Sequence, residues 1–178
     1  FLIPANVYLY GVNDIFDAEI DRRNPKKDYR EVRYDGDRLT VPAVLLCGLG
    51  AIAITAGVPA PARPWVGAFL LLATAYSAPP VRLKVRPLLD SLSNGLYVLP
   101  GAGAYAALSG TAPPVAVLLG AWLWTMAMHT FSAIPDIEPD RRGGIQTTAT
   151  VLGHRRALAY CFVCWLGAAV AMAVMDIR

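Results

Sequence analysis

The sequence predicts an all-α fold, a polytopic membrane bundle of about six transmembrane helices. Its composition is the first reason, since hydrophobic residues make up 56% of the 178 residues and charged residues only 16%. In an ordinary soluble domain, hydrophobic residues make up roughly 45–50% and charged residues roughly 25%. Long uncharged stretches are the second reason, and the longest is Ser91–Pro135. Gly and Ala recur in these stretches, as close helix packing in lipid favours.

Charged and turn-forming residues divide the chain into six hydrophobic elements. A 19-residue helix is about 28 Å long, close to the roughly 30 Å of a bilayer core, so elements of this length are expected to cross a membrane. In chain order the elements are Phe1–Val12, Leu39–Gly57, Pro64–Ser77, Asp90–Leu108, Val115–Ile134 and Arg156–Met175, with the inner bounds approximate.

Each element follows from a local feature of the sequence. The first ends at an acidic segment and lacks the basic start and cleavage site of a signal peptide. The second and third are the uncharged runs on either side of Arg63. The fourth and fifth share one uncharged run, which breaks at the turn-forming Ser109–Pro114. The sixth is the uncharged Ala157–Met175. Because the chain starts without Met in apolar sequence, we expect it to be cut from a longer protein.

The basic residues predict the topology. Of the 16 Lys and Arg residues, 14 lie after the first, third and fifth elements, whereas the alternate loops hold only Arg63. By the positive-inside rule the three charged loops are expected on the cytoplasmic side of the cell membrane. The net charge of +3 is too small and too mixed for a nucleic-acid binder, and three cysteines imply no disulfide framework.

Two acidic clusters lie at the predicted cytoplasmic ends of hydrophobic elements. Asn13, Asp17 and Asp21 are spaced one helical turn apart, and Asp136 and Asp140 repeat that spacing. Carboxylates one turn apart repel each other unless a cation lies between them. Hard oxygen donors of this kind suit Mg²⁺, which completes its shell with water and phosphate oxygens. The alternative for each cluster is a solvated helix end whose acids offset nearby Arg.

A cationic segment lies between the third and fourth elements. Pro79 and Pro80 are expected to end the helix and hold the chain extended. In an extended run Arg82, Lys84 and Arg86 would point the same way and could meet diphosphate oxygens. For Arg86 a topological anchor is an equal alternative.

These motifs resemble those of the UbiA superfamily of intramembrane prenyltransferases. They are N-D-x-x-D-x-x-x-D from Asn13, Y-S-x-P-P-x-R-L-K from Tyr76, and D-x-x-x-D from Asp136. The resemblance implies a bundle of nine helices around a cavity, of which residues 1–178 would supply helices two to seven as one domain. Within the superfamily, Tyr76–Gly101 and Phe131–Gly153 resemble lycopene elongases of carotenoid biosynthesis most closely.

The resemblance implies transfer of an allylic group from its diphosphate, with dimethylallyl diphosphate as donor and lycopene or a related linear carotenoid as acceptor. The membrane lipid would supply a dry, apolar setting. Mg²⁺ would be held by Asn13, Asp17, Asp21, Asp136 and Asp140. Arg82 and Lys84 would neutralise the leaving group, with Arg22 and Arg141 as lesser candidates.

Further candidates lie in the fourth and fifth elements. Asp90 is a candidate proton acceptor, with capping of a helix as the alternative. Asn94 follows four residues later as a substrate-binding candidate, and Tyr97 could steady a cation or simply pack. Tyr76 opens the cationic motif as a substrate-binding candidate. His129 lies two turns before Asp136 and is interpreted as packing.

Two other functions stay open. One is a UbiA-type prenyltransferase acting on an aromatic or quinone precursor. The other is an ion-coupled transporter, which would also carry carboxylates within a membrane but would usually place them near its midplane.

Overall fold

A computed structural model describes residues 1–22 and 34–176, except for the side chains of residues 19–22 and 176. Within these residues the chain is helical and has no strand, which confirms the predicted all-α class. The eight α-helices are α1 Leu2–Arg22, α2 Thr40–Gly57, α3 Arg63–Ser77, α4 Leu89–Leu92, α5 Leu99–Ser109, α6 Val115–Ala133, α7 Ile137–Arg142 and α8 Thr148–Asp176. Short 3-10 helices are Ala60–Ala62, Leu83–Val85, Ser93–Val98 and Ile134–Asp136.

Three of the predicted crossings are long and apolar enough to span a membrane. They are Thr40–Gly57, Val115–Arg142 and Thr148–Met175. The large apolar side chains of α2 point outward, since Leu45, Leu46 and Leu49 are all exposed. An exposed apolar surface of this extent is typical of contact with lipid. By contrast, α3 and α5 have only 15 and 11 residues.

The first and last helices extend beyond the predicted elements. Helix α1 continues from the apolar run through the acidic segment to Arg22. Hydropathy marks where a helix leaves the lipid, but the helix itself can continue through charged residues at the membrane edge. Helix α8 begins at Thr148 and bends at Gly153, where φ is 71°. The predicted start at Arg156 therefore corresponds to the part that follows the bend.

The predicted fourth element is not one continuous helix. It consists of the single turn α4, the 3-10 helix Ser93–Val98 and helix α5. The indole N–H of Trp122 donates to the Leu92 carbonyl over 2.9 Å. A side chain of α6 thus binds the Leu92 carbonyl at the point where α4 ends and the 3-10 helix begins.

Packing of small residues brings the helices together. Helices α6 and α8 form the most extensive pair, with Ala127 of α6 fully buried beside Cys161 of α8. Helix α1 packs on α2 and α3, and α3 in turn packs on α5. The core between α1, α3 and the 3-10 helix Ser93–Val98 contains Leu9, Phe69 and Leu96. This arrangement places the end of α1 beside the loop that follows α3.

Gly95 is a position where any side chain is expected to be costly. A Cβ atom there would lie 1.8 Å from a ring carbon of Trp122, and the hydrogen bond to Leu92 holds that ring in place. Gly95→Ala should therefore lower stability by about 1–3 kcal/mol, as overpacking of a core does. The measurement is the thermal unfolding midpoint of the purified protein in detergent.

Gly101 provides the matched control for Gly95. It lies in α5 with no atom within 4 Å of an added Cβ. Gly101→Ala is expected to leave stability unchanged or raise it by up to about 1 kcal/mol, since Ala favours the helix. Equal unfolding midpoints for the two variants would contradict the packing described for Trp122.

Candidate active site

The acidic end of α1 meets the cationic loop after α3. Asn13 and Asp17 lie one turn apart on α1. The Lys84 ammonium donates to Asn13 Oδ1 over 2.8 Å and also binds Asp17 Oδ2. Arg82 Nη2 donates to Asp17 Oδ1 over 3.0 Å. The structure thus brings together four of the residues that the motifs single out, which we name the acid–cation site.

The acid–cation site is held from α3 as well as from the loop. The hydroxyl of Ser77, the last residue of α3 and fully buried, donates to Asn13 Oδ1 over 2.9 Å. The side chains of Lys84 and Asp17 are only 10% and 13% exposed. At this burial the attraction between the two charges is stronger than that of a surface ion pair.

The cationic loop is not extended as predicted. Arg82 adopts left-handed φ and ψ of 43° and 61°, and Leu83–Val85 forms a 3-10 turn. The turn directs Arg82 and Lys84 to the same carboxylate. Arg86 lies elsewhere, with its guanidinium donating to the Pro80 carbonyl over 3.0 Å. The predicted alignment of three cations is therefore wrong, and two of them share the site.

A buried donor in this loop has no partner. The Arg82 Nε atom is buried and makes no hydrogen bond with any residue that the structure describes. A buried unpaired donor is rare in proteins and calls for an explanation such as a ligand. It points to an anion-binding function for the acid–cation site.

The second acidic cluster lies at the junction of α6 and α7. Asp136 ends the 3-10 helix Ile134–Asp136, and Asp140 lies on α7, both partly buried. The Asp140 carbonyl accepts a hydrogen bond from Ile145 N–H over 2.9 Å, which closes the loop between α7 and α8. Among the described residues, no three His, Cys, Asp or Glu side chains are grouped so as to hold a metal ion.

Two predicted site residues fall where side chains are not described. Asp21 and Arg22 lie on the last turn of α1, and only their backbone is described. Their assigned roles stay predictions, as does the meeting of the two acidic clusters around one metal.

Arg141 has partners within the fold. Its guanidinium donates to the Thr150 carbonyl through Nε over 3.1 Å and through Nη2 over 2.6 Å. A weaker contact of 3.3 Å joins it to Glu138 on the same helix. Arg141 thus ties α7 to the first turn of α8, which accounts for its position without a substrate.

Asp90 is fully buried and caps a helix distant in sequence. Its carboxylate accepts hydrogen bonds from Thr148 N–H, over 2.9 Å, and from the Thr148 hydroxyl. Thr148 is the first residue of α8, so the negative charge faces the positive end of that helix. Capping was the alternative for Asp90, but the capped helix is α8 and not its own. Asn94 donates to the Asp90 carbonyl over 2.7 Å.

The two aromatic candidates have different surroundings. The Tyr76 ring meets the His129 ring edge-on at 6.3 Å. Tyr97 lines a cavity of about 860 Å³ between α5, α6 and α8. Trp124 and Trp165 also line this cavity, and it contains no charged residue.

Sequence reasoning missed a buried polar network around α4. The Ser91 hydroxyl donates to the Met126 carbonyl over 3.0 Å and lies 2.9 Å from the Tyr160 hydroxyl. Thr130 donates to Ser91 over 3.0 Å. Small polar residues within an apolar run are the only sequence signal for such a network, and they do not identify their partners.

The fold, with three helices long and apolar enough to cross a bilayer, is that of an integral membrane protein. The chain belongs to the UbiA prenyltransferase family, whose sequence profile matches residues 1–177. This family is one of prenyltransferases and not of ion-coupled transporters.

Relatives and solved structures agree with this assignment. The chain is 60% identical to "Lycopene elongase/hydratase" of Haloferax volcanii over 178 residues, covering 100% of this chain and 59% of the relative. It therefore spans about three fifths of that relative's length. Among solved structures, a UbiA homologue from Archaeoglobus fulgidus bound to GPP and Mg²⁺ superimposes with a TM-score of 0.78 at 22% identity, covering 94% of this chain and 60% of the other. The same homologue bound to DMAPP and Mg²⁺ gives 0.73 at 20% identity, with coverages of 94% and 60%. These two likenesses concern the fold.

Proposed function

We propose that this protein transfers an allylic prenyl group from its diphosphate to a lipophilic acceptor, with Mg²⁺ as cofactor. The proposed donor is dimethylallyl diphosphate and the proposed acceptor is lycopene or a related linear carotenoid. The observation that carries the proposal is the acid–cation site, in which Arg82 and Lys84 meet Asn13 and Asp17. The name of the Haloferax volcanii relative supports the choice of acceptor, and the DMAPP bound to the Archaeoglobus fulgidus homologue supports the choice of donor.

The acid–cation site has the groups that a diphosphate leaving group needs. The Arg82 and Lys84 cations would bind phosphate oxygens, and the unpartnered Arg82 Nε supplies a further donor. Such preorganised donors stabilise the charge that grows as the C–O bond breaks. The partial burial of both side chains strengthens this effect by excluding water.

The oxygen donors of the two acidic clusters fit Mg²⁺ by type. Asn13 and Asp17, together with Asp136 and Asp140, present the amide and carboxylate oxygens that Mg²⁺ prefers, and Asp21 is proposed to join them. When bound, Mg²⁺ would neutralise charge on the diphosphate. Lys84 and Arg82 satisfy Asp17 in the absence of a ligand, and a phosphate would compete for these cations.

The apolar cavity between α5, α6 and α8 supports the proposed acceptor. Its volume of about 860 Å³ and its aromatic lining suit a long polyene. Water would quench an allylic cation quickly, so an apolar surrounding favours transfer to carbon. Tyr97, on the wall of this cavity, is proposed to face the acceptor.

We further propose that the acid–cation site faces the cytoplasm from the cell membrane. The basic residues of the loops after α1, α3 and α6 support this orientation through the positive-inside rule. A soluble diphosphate donor made in the cytoplasm would then reach the site directly.

The test uses the full-length protein in membranes supplied with lycopene and dimethylallyl diphosphate. We expect prenylated carotenoid with Mg²⁺ and none after chelation. Asp17→Ala and Asp136→Ala should each lower turnover by about 10²-fold or more, because each is proposed to hold the metal. An unchanged carotenoid pool in the presence of Mg²⁺ would contradict the proposed acceptor, and near-normal turnover in either variant would contradict the metal assignment.

A further inference from the structure

His129 of α6 lies beside the buried carboxylate of Asp90. Its Nε2 atom is 3.6 Å from Asp90 Oδ2, and its side chain is 19% exposed whereas that of Asp90 is 1% exposed. The carboxylate cannot turn away, because the backbone N–H and hydroxyl of Thr148 hold both its oxygens. Asp90 therefore presents a fixed negative charge to one nitrogen of the imidazole.

This contact favours one placement of the hydrogen on the imidazole ring. A neutral imidazole carries hydrogen on one nitrogen and a lone pair on the other. The nitrogen that faces a carboxylate is the one that keeps its hydrogen, as in the orienting role of an aspartate beside a catalytic histidine. Nδ1 is then the acceptor. Nδ1 is the ring nitrogen that does not face Asp90, and the His129 side chain is partly exposed.

His129 is linked to the acid–cation site through the last turn of α3. Its ring meets Tyr76 edge-on at 6.3 Å. Tyr76 precedes Ser77, whose hydroxyl binds Asn13, and it lies within electrostatic reach of both Asp17 and Asp90. The last turn of α3 thus contacts the acid–cation site through Ser77 and His129 through Tyr76.

We propose that His129 Nδ1 accepts the proton that the acceptor loses after prenyl transfer, with Asp90 as the positioning residue. This inference rests on the proposed function and deepens it. The C–O bond of the donor breaks and its electron pair leaves with the diphosphate. An electron pair of an acceptor double bond forms the new C–C bond and leaves a cation on the neighbouring carbon. An adjacent C–H bond then gives its proton to Nδ1, and its electron pair forms the new C=C bond.

The test compares His129 variants of the full-length protein in membranes with lycopene, dimethylallyl diphosphate and Mg²⁺. His129→Ala should lower kcat by about 10²-fold, as loss of a general base does, with little change in KM for the donor. Free imidazole should restore turnover of this variant by about tenfold. His129→Gln keeps a hydrogen-bond donor toward Asp90 and fills the space of the imidazole ring. It should therefore be as slow as His129→Ala, and added imidazole should not restore its turnover.

His154 is the matched control, since it is the chain's other histidine and is exposed on α8. His154→Ala should turn over as the wild type does. Near-normal kcat in His129→Ala, or a loss that imidazole does not restore, would overturn this inference alone and leave His129 a packing residue. A wild-type protein that forms no prenylated product would overturn the proposed function, and this inference with it.

Discussion

Lys84→Ala is expected to lower kcat for prenyl transfer by about 10²–10³-fold, as removal of a preorganised charge from a transition state does. Lys84 binds both Asn13 and Asp17, and its side chain is 10% exposed, the most buried cation of its loop. The loss should appear in kcat more than in acceptor KM, because the ammonium is proposed to act on the leaving diphosphate. The measurement is product formation at saturating donor by the full-length protein in vesicles.

Arg86 is the control that the same loop offers. It carries the same charge two residues further on, but its guanidinium binds the Pro80 carbonyl on the exposed side of the loop. Arg86→Ala should change kcat by less than about twofold, since exposed charges contribute little. Equal losses in the two variants would show that the loop acts only through its total charge, as a topological anchor. An unfolding midpoint measured for each variant separates lost activity from lost fold.

The sequence could predict that the end of α1 and the loop after α3 lie together. Acidic spacing in one segment and a cationic motif in the other both mark the same face of the membrane. The spacing of Asn13 and Asp17 fixes a helix face, and the Pro79–Pro80 pair fixes a loop start. It could not predict the shape of that loop. The left-handed conformation of Arg82 has no signature in the residue itself, since this conformation is favoured by Gly and Asn and not by Arg. The prediction that Arg82, Lys84 and Arg86 point the same way is therefore wrong for Arg86.

Helix ends in a membrane protein were also only partly predictable. Hydropathy located the apolar part of α1 but not its continuation to Arg22, since charge determines contact with lipid and not helix formation. The interruption at Ser93–Val98 accompanies Trp122, a residue of a different helix. Asp90 shows the same limit, because its partner Thr148 is 58 residues away and only the folded chain brings the two together.

Asp90→Ala is expected to lower stability by about 3 kcal/mol or more, because it leaves buried donors without their charged partner. The fully buried carboxylate satisfies Thr148 N–H and its hydroxyl at the start of α8, and it also faces His129. The readout is the thermal unfolding midpoint in detergent. Protection of the first turn of α8 in amide hydrogen exchange should fall with it, since this end of the helix loses its cap.

Variants at Asp35 and Thr148 distinguish the loss of a helix cap from a general effect of charge removal on stability. Asp35 is exposed and accepts a hydrogen bond from the Asp37 N–H, so Asp35→Ala should change stability by less than about 0.5 kcal/mol. Thr148→Val removes the hydroxyl that donates to Asp90 and keeps the backbone N–H that also donates to it. Asp90 and Thr148 touch, so the double variant should lose less than the sum of the single losses. Additive losses would mean that the two residues stabilise the fold independently, and the junction between α4 and α8 would then owe its strength to apolar packing and not to this carboxylate.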